Sequence, residues 1–208
     1  KAVFTPDDTD NYDTVEIDII VTVGKADASY TTPTGLTATY GDTLANVSLP
    51  SGWTWKTPSA SVGNAGVNSF KAVFTPDDTD NYDTVEIDVI VTVGKANSSY
   101  TVPTAKELVY NGSAQTLVNA GSTTTGAMQY ALGSITEPTG SWSATLPQGQ
   151  NAGTYYIWYK VVGDDNHNDV APACVAVTIA KKQIAKPAAD STTFTYNGSY
   201  QTYALNGD

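Results

Sequence analysis

Between Val85 and Val93 apolar and polar residues alternate: Val85, Ile87, Val89, Val91 and Val93 stand at every second position, with Glu86, Asp88 and Thr92 between them. A period of two sends successive side chains to opposite faces of a strand, so this stretch predicts a strand buried on one face and wet on the other. Ala173-Cys-Val-Ala-Val-Thr-Ile179 predicts a second closing strand of the same kind. Ahead of each lies another strand introduced by Asn-Ala-Gly: Phe70–Phe74 after Asn64–Gly66, and Tyr155–Val161 after Asn151–Gly153. Aligned on that triplet, Ile157, Tyr159 and Val161 match Phe70, Ala72 and Phe74 as core, while Tyr156, Trp158 and Lys160 point outward. Tyr40, Tyr110 and Tyr196 are each followed by a turn signal, Gly-Asp or Asn-Gly, and Asn-Gly between apolar runs is a strong hairpin cue. No amphipathic stretch is longer than about two helical turns. The expected fold is all-β, with one-face-wet antiparallel sheets stacked as sandwiches.

The pattern repeats. Lys1–Ala26 and Lys71–Ala96 agree at every position except Ile19 against Val89, at an offset of 70 residues. A period of that size with strand content means a tandem array of small domains. The expected division is the closing part of a truncated repeat at 1–26, a complete short module at 27–95, a complete longer module at 96–181, and the opening part of another repeat at 182–208. In that last part Pro187 leads to Phe194-Thr-Tyr196-Asn-Gly-Ser-Tyr-Gln-Thr-Tyr203. Short linkers carrying Pro would limit bending. The longer module has 32 residues from Tyr110 to Trp142, where the shorter has 15 from Tyr40 to Trp55, so the segment around Thr125–Leu132 should add a strand or hairpin. Trp53, Trp55 and Trp142 are expected to pack between the sheets. Strands opened by truncation should recruit one another between copies of the chain or lie on the neighbouring module.

Charge narrows the partners. Ten Lys and Arg face 21 Asp and Glu, a formal charge of −11, which repels nucleic acid and anionic lipid. No apolar run is long enough to span a membrane, so direct membrane insertion is not expected. One cysteine excludes an internal disulfide framework.

The combination of Tyr40-Gly-Asp-Thr-Leu44, Asn64-Ala-Gly66 and Pro76-Asp-Asp-Thr-Asp-Asn-Tyr82 before the closing strand resembles the MBG-type, bacterial Ig-like repeats. Tyr110-Asn-Gly-Ser-Ala-Gln-Thr-Leu117 with Asn151–Tyr156 and Gly163-Asp-Asp-Asn-His167 is similar to a variant of them, and the resemblance covers essentially the whole chain. It implies tandem Ig-like sandwiches in a large bacterial cell-surface or secreted adhesin-like protein, with no catalytic residues.

Two clusters could carry chemistry. Asp77, Asp78, Asp80, Asn81 and Asp83 could hold Ca²⁺, which takes about six to eight oxygen ligands. The competing reading is a solvated hairpin turn, since Asp and Asn side chains cap turns. Tyr156, Trp158 and Lys160 could form a sheet-face platform for a glycan or a host or cell-surface protein. Against that, the added segment around Met128 could cover it. His167, the single histidine, aligns with Tyr82 and reads as a turn-packing residue, because a triad or histidine metal site needs partners that the chain lacks. Cys174 aligns with Asp88 on the wet face. The sequence thus predicts a non-catalytic stalk or spacer outside the cell, with the aromatic platform as the alternative.

Overall fold

Val85–Gly94 forms one continuous strand, and its burial follows the alternation: Val89, Val91 and Val93 are buried while Glu86, Asp88 and Thr92 are exposed. The computed structural model describes residues 1–186 and 193–202 in full, and the backbone alone of 188–189 and 205–206. Pro187 and Tyr203 lie outside the described residues. The fold is all-β, and among the described residues the one helical turn is the 3-10 turn Leu44–Asn46.

The chain separates into two compact units, Lys1–Gly94 and Lys95–Asp208. The first holds β1 (Ala2–Phe4), β2 (Val15–Ile17), β3 (Leu36–Thr39), β4 (Trp53–Trp55), β5 (Gly66–Phe74) and β6 (Val85–Gly94). β1 and β2 pair with each other, and the remaining four form a sheet in the order β3-β6-β5-β4. β6 runs antiparallel to β5 and parallel to β3. The apolar face of this sheet meets the connection between β3 and β5, which supplies Leu44, Val47 and Val62 to the core. Trp53 and Trp55 are both buried there, packed between this single sheet and the connection rather than between two sheets. The Trp55 indole N–H donates to the Val47 carbonyl at 2.8 Å, so its polar atom is satisfied inside the core. Trp53, Phe74 and Tyr30 stack at the end of the sheet, with ring centroids 5.4 to 5.9 Å apart. Gly52 (φ +82°) makes the turn into β4 beneath the Phe74 ring, where a Cβ would stand 2.8 Å from a ring carbon.

The second unit is built around β7 (Leu108–Val109), β8 (Gly126–Gly133), β9 (Gly153–Gly163) and β10 (Val170–Ala180), in the order β8-β9-β10-β7. Its central pair is again antiparallel and its outer contact, β7 with β10, again parallel. Two-residue ladders join 100–101 to 122–123, 104–105 to 118–119 and 115–116 to 148–149. Leu117, Val118, Tyr130, Ile157, Tyr159, Val177 and Ile179 form the core. Tyr40 and Tyr110 hold equivalent places: each donates its backbone N–H to the residue ending the closing strand, Gly94 or Ala180.

The added segment is β8, a full strand. It takes the sheet position that β4 holds in the first unit. By register, Met128 opposite Val161 replaces Trp53 opposite Phe74, and Tyr130 opposite Tyr159 replaces Trp55 opposite Ala72. The core place expected for Trp142 is therefore filled by Tyr130. Trp142 lies further along, where the chain folds back beside β8 and Ser143 exchanges backbone hydrogen bonds with Tyr130.

Candidate functional site

The acidic turns are built from their own side chains. Asp78 accepts the Asn81 backbone N–H at 3.1 Å and the Asn81 side-chain amide at 2.8 Å, and the Tyr82 N–H reaches the Asp78 carbonyl. The Asn81 amide holds the Asp78 carboxyl below its ordinary value, with the neighbouring N–H groups and the Lys25 ammonium adding to the effect. In the second unit Asp164 accepts from the Asn166 N–H at 2.9 Å and contacts His167 Nδ1 at 2.7 Å. The His167 ring is the main cause of the lowered Asp164 pKa. Asp77, Asp78, Asp80 and Asp83 do not gather: among the described residues no three His, Cys, Asp or Glu side chains form a group able to hold a metal ion.

Each turn has a second occupant. Lys25 Nζ donates to the Thr79 carbonyl, and the Ala26 N–H donates to the Asn81 carbonyl at 2.8 Å, while Asp83 donates back to the Ala26 carbonyl. The second unit repeats this with Lys95 on the Asp164 carbonyl at 2.9 Å, Ala96 on Asn166, and Asn168 donating back to Ala96. Backbone bridges pair Ala26 with Tyr82 and Ala96 with His167, so His167 does occupy the place of Tyr82. The sequence alone does not show which groups these lysines contact. The signal was present: Lys-Ala recurs at 25–26 and at 95–96, and an acidic turn follows each.

The outer face of β9 differs sharply from that of β5. Lys71 pairs with Asp88 at 2.9 Å and Lys56 with Glu86 at 2.8 Å across the first unit's wet face. The Asp88 hydrogen bond raises the Lys71 pKa. Both pairs are solvent-exposed and contribute little to stability. At the matching positions of the second unit Trp158 stands opposite Cys174, and Lys160 opposite Gln129. Tyr156, Trp158 and Lys160 are half-buried, while Ile157, Tyr159 and Val161 between them are buried. The chain after β8 covers part of this face. Trp158 donates its indole N–H to the Ser134 carbonyl at 2.8 Å, and Lys160 Nζ lies 4.7 Å from the centre of the Trp142 ring, a cation–π contact. Gly133 permits the close approach, since a Cβ there would fall 2.6 Å from Trp158 Cδ1 and 2.7 Å from Pro138 Cα. Ala131, opposite Trp158, is only 2 % exposed. Trp158 thus roofs a small outer layer, with Cys174 against its other side. Burial raises the Cys174 pKa.

The surface hollows offer little chemistry. One is lined by Ser99, Tyr100, Thr101, Ser122, Thr123 and Thr124, which largely hydrogen-bond one another, and another by Lys56 and Lys71, already paired with acids. No family model matches the chain, and no curated protein matches it.

Proposed function

We propose that the chain is a non-catalytic stalk segment, a run of tandem Ig-like modules that spaces another domain away from a bacterial surface in a secreted or surface-anchored adhesin-like protein. One observation carries this reading. Two units of different length keep the same sheet order, the same parallel closure by a Tyr-bearing strand, and the same Lys-Ala contact on the acidic turn. The shared features are structural, while the side chains on the outer faces of β5 and β9 differ. A protein selected for length and repetition keeps the frame and lets such details drift.

The competing platform reading requires Tyr156, Trp158 and Lys160 to meet a ligand. A sugar-stacking indole presents an open face and a free N–H. Trp158 has its N–H committed to Ser134 and Lys160 is drawn over Trp142, so the spacer reading is preferred. Two measurements test it. Residues 25–94 and 95–181, expressed separately, should each unfold cooperatively and give dispersed NMR spectra; failure of both would overturn the modular reading. A glycan array probed with the whole chain should stay at background, and a specific signal lost in Trp158→Ala would replace the spacer with the platform.

A further inference from the structure

The Asn111-Gly112 turn does not make the hairpin that its sequence suggests. It follows β7, which pairs with β10, while residues 115–116 pair with 148–149. Its local structure is nevertheless well defined. The Ser113 N–H donates to Asn111 Oδ1 at 2.9 Å, which folds the Asn111 side chain back over the peptide to Gly112. Gly112 turns at φ +83°, with nothing within 4 Å of the place a Cβ would take. Asn197-Gly198 repeats the arrangement. The Ser199 N–H reaches Asn197 Oδ1 at 3.1 Å, Gly198 turns at φ +74°, and its Cβ place is equally open. Both asparagines and both glycines are exposed.

Each turn binds the side-chain carbonyl and leaves the nitrogens on either side of it unbound. Among the described residues nothing accepts the N–H of Gly112 or Gly198, and nothing holds Nδ2 of Asn111 or Asn197. Other asparagines are placed differently. Asn81 commits Nδ2 to Asp78 at 2.8 Å, Asn119 to Thr104 at 3.1 Å and Asn68 to the Val62 carbonyl at 3.1 Å. Tyr82, Ala120 and Ser69 follow them, and a Cβ on the following residue crowds the approach to its nitrogen.

We propose that Asn111 and Asn197 are sites of spontaneous deamidation, at which the nitrogen of the following glycine attacks the asparagine side chain. The Gly112 nitrogen gives its proton to hydroxide and bonds to Asn111 Cγ, whose carbonyl the Ser113 N–H polarises. The Cγ–Nδ2 bond breaks, and the nitrogen takes a proton from water and leaves as ammonia. Water then opens the cyclic imide. Opening at Cγ gives aspartate, and opening at the main-chain carbonyl gives isoaspartate. Gly198 and Asn197 react in the same way. Either product adds a negative charge to a chain that already carries −11. Isoaspartate also lengthens the backbone by a methylene just after Tyr110, whose N–H holds the opening strand to Ala180. The closure of the second unit is thereby open to slow chemical ageing.

The test is incubation of the whole chain in warm, mildly alkaline buffer, followed by peptide mass spectrometry and an isoaspartyl methyltransferase assay. Asn111 and Asn197 should each exchange the amide nitrogen for oxygen and yield isoaspartate. Asn68, Asn81 and Asn119 should stay unchanged over the same period. Asn111→Gln should abolish the change at that position, because glutamine must close a larger ring, and leave Asn197 converting at its former rate. An unchanged Asn111 or Asn197, or conversion of Asn68, Asn81 and Asn119 at the same rate, would overturn the inference.

Discussion

The molecule contains one sequence twice in two environments. Lys1–Ala26 and Lys71–Ala96 differ only at Ile19 and Val89, yet the second forms a ten-residue closing strand and the first a three-residue one. What they share is local. Both turns carry the Asp-to-Asn bonds, with the N–H of Asn11 and Asn81 each 3.1 Å from the aspartate oxygen, and both hairpins start in the same register. What they do not share is a neighbour. Val85–Gly94 lies between β5 and β3 and buries Val89, Val91 and Val93, each burial worth about 1.5–3 kcal/mol. Lys1 shows the consequence on the other face. Its counterpart Lys71 reaches Asp88 across the ladder, but Lys1 pairs with Glu16, because the first ladder ends before Asp18. The turn is therefore encoded within the segment, and the long strand is supplied by what flanks it. Val89–Val93 are faced by Gly66–Phe70, and those residues have no counterpart among residues 1–26.

The sharpest break between the copies should appear in amide exchange. The N–H groups of Val89 to Val93 lie between two strands and should be protected at least about a thousandfold over those of Ile19 to Val23, because core strands open only near the global unfolding energy. Equal protection would show that the first copy is structured beyond its own ladder. Next in size is a matched truncation. Phe74 packs on Trp53 and Tyr30, so Phe74→Ala should destabilise the first unit by about 3 kcal/mol. Phe4→Ala, at 65 % exposure, should change its stability by less than about 0.5 kcal/mol. Denaturant melts followed by the fluorescence of the buried Trp53 and Trp55 measure both, and similar losses would show that the first hairpin is part of the core.

Much of the fold was legible because alternation and burial are the same fact. Val85–Val93 and Ile157–Val161 face as the period requires, and the extra segment became a strand. Its register was not legible. Counting from tyrosine to tryptophan aligned Trp142 with Trp55, but sheet position depends on which strand reaches β9 first, and β8 brought Tyr130 there instead. At the candidate site, the outward direction of Trp158 could be read from alternation, while its cover could not. The cover comes from Ser134, Pro138 and Trp142, in a loop with no period to read, and only Gly133 hinted at close approach. The His167 place was readable because the turn is short and its bonds are local.

The smallest effect separates the two turns by pH. A carboxylate held below its ordinary value stabilises the folded state fully above that value, and the contribution is lost as pH falls through the lowered, folded one. For Asp78 and Asp164 the ordinary value is 3.8, so the loss begins below about pH 4. Asp78→Asn should flatten the acid slope of the first unit's melting temperature. Asp8→Asn removes the same side chain from the same turn but should leave that slope unchanged, because the strand that follows, β2, is exposed along its length. In the second unit His167→Ala should remove the main cause of the Asp164 shift and flatten its slope in turn. Melting curves taken between neutral pH and about pH 3 decide it. An Asp8→Asn slope that matched Asp78→Asn would show the two copies coupled to folding alike, and the distinction between encoded turn and borrowed strand would fall.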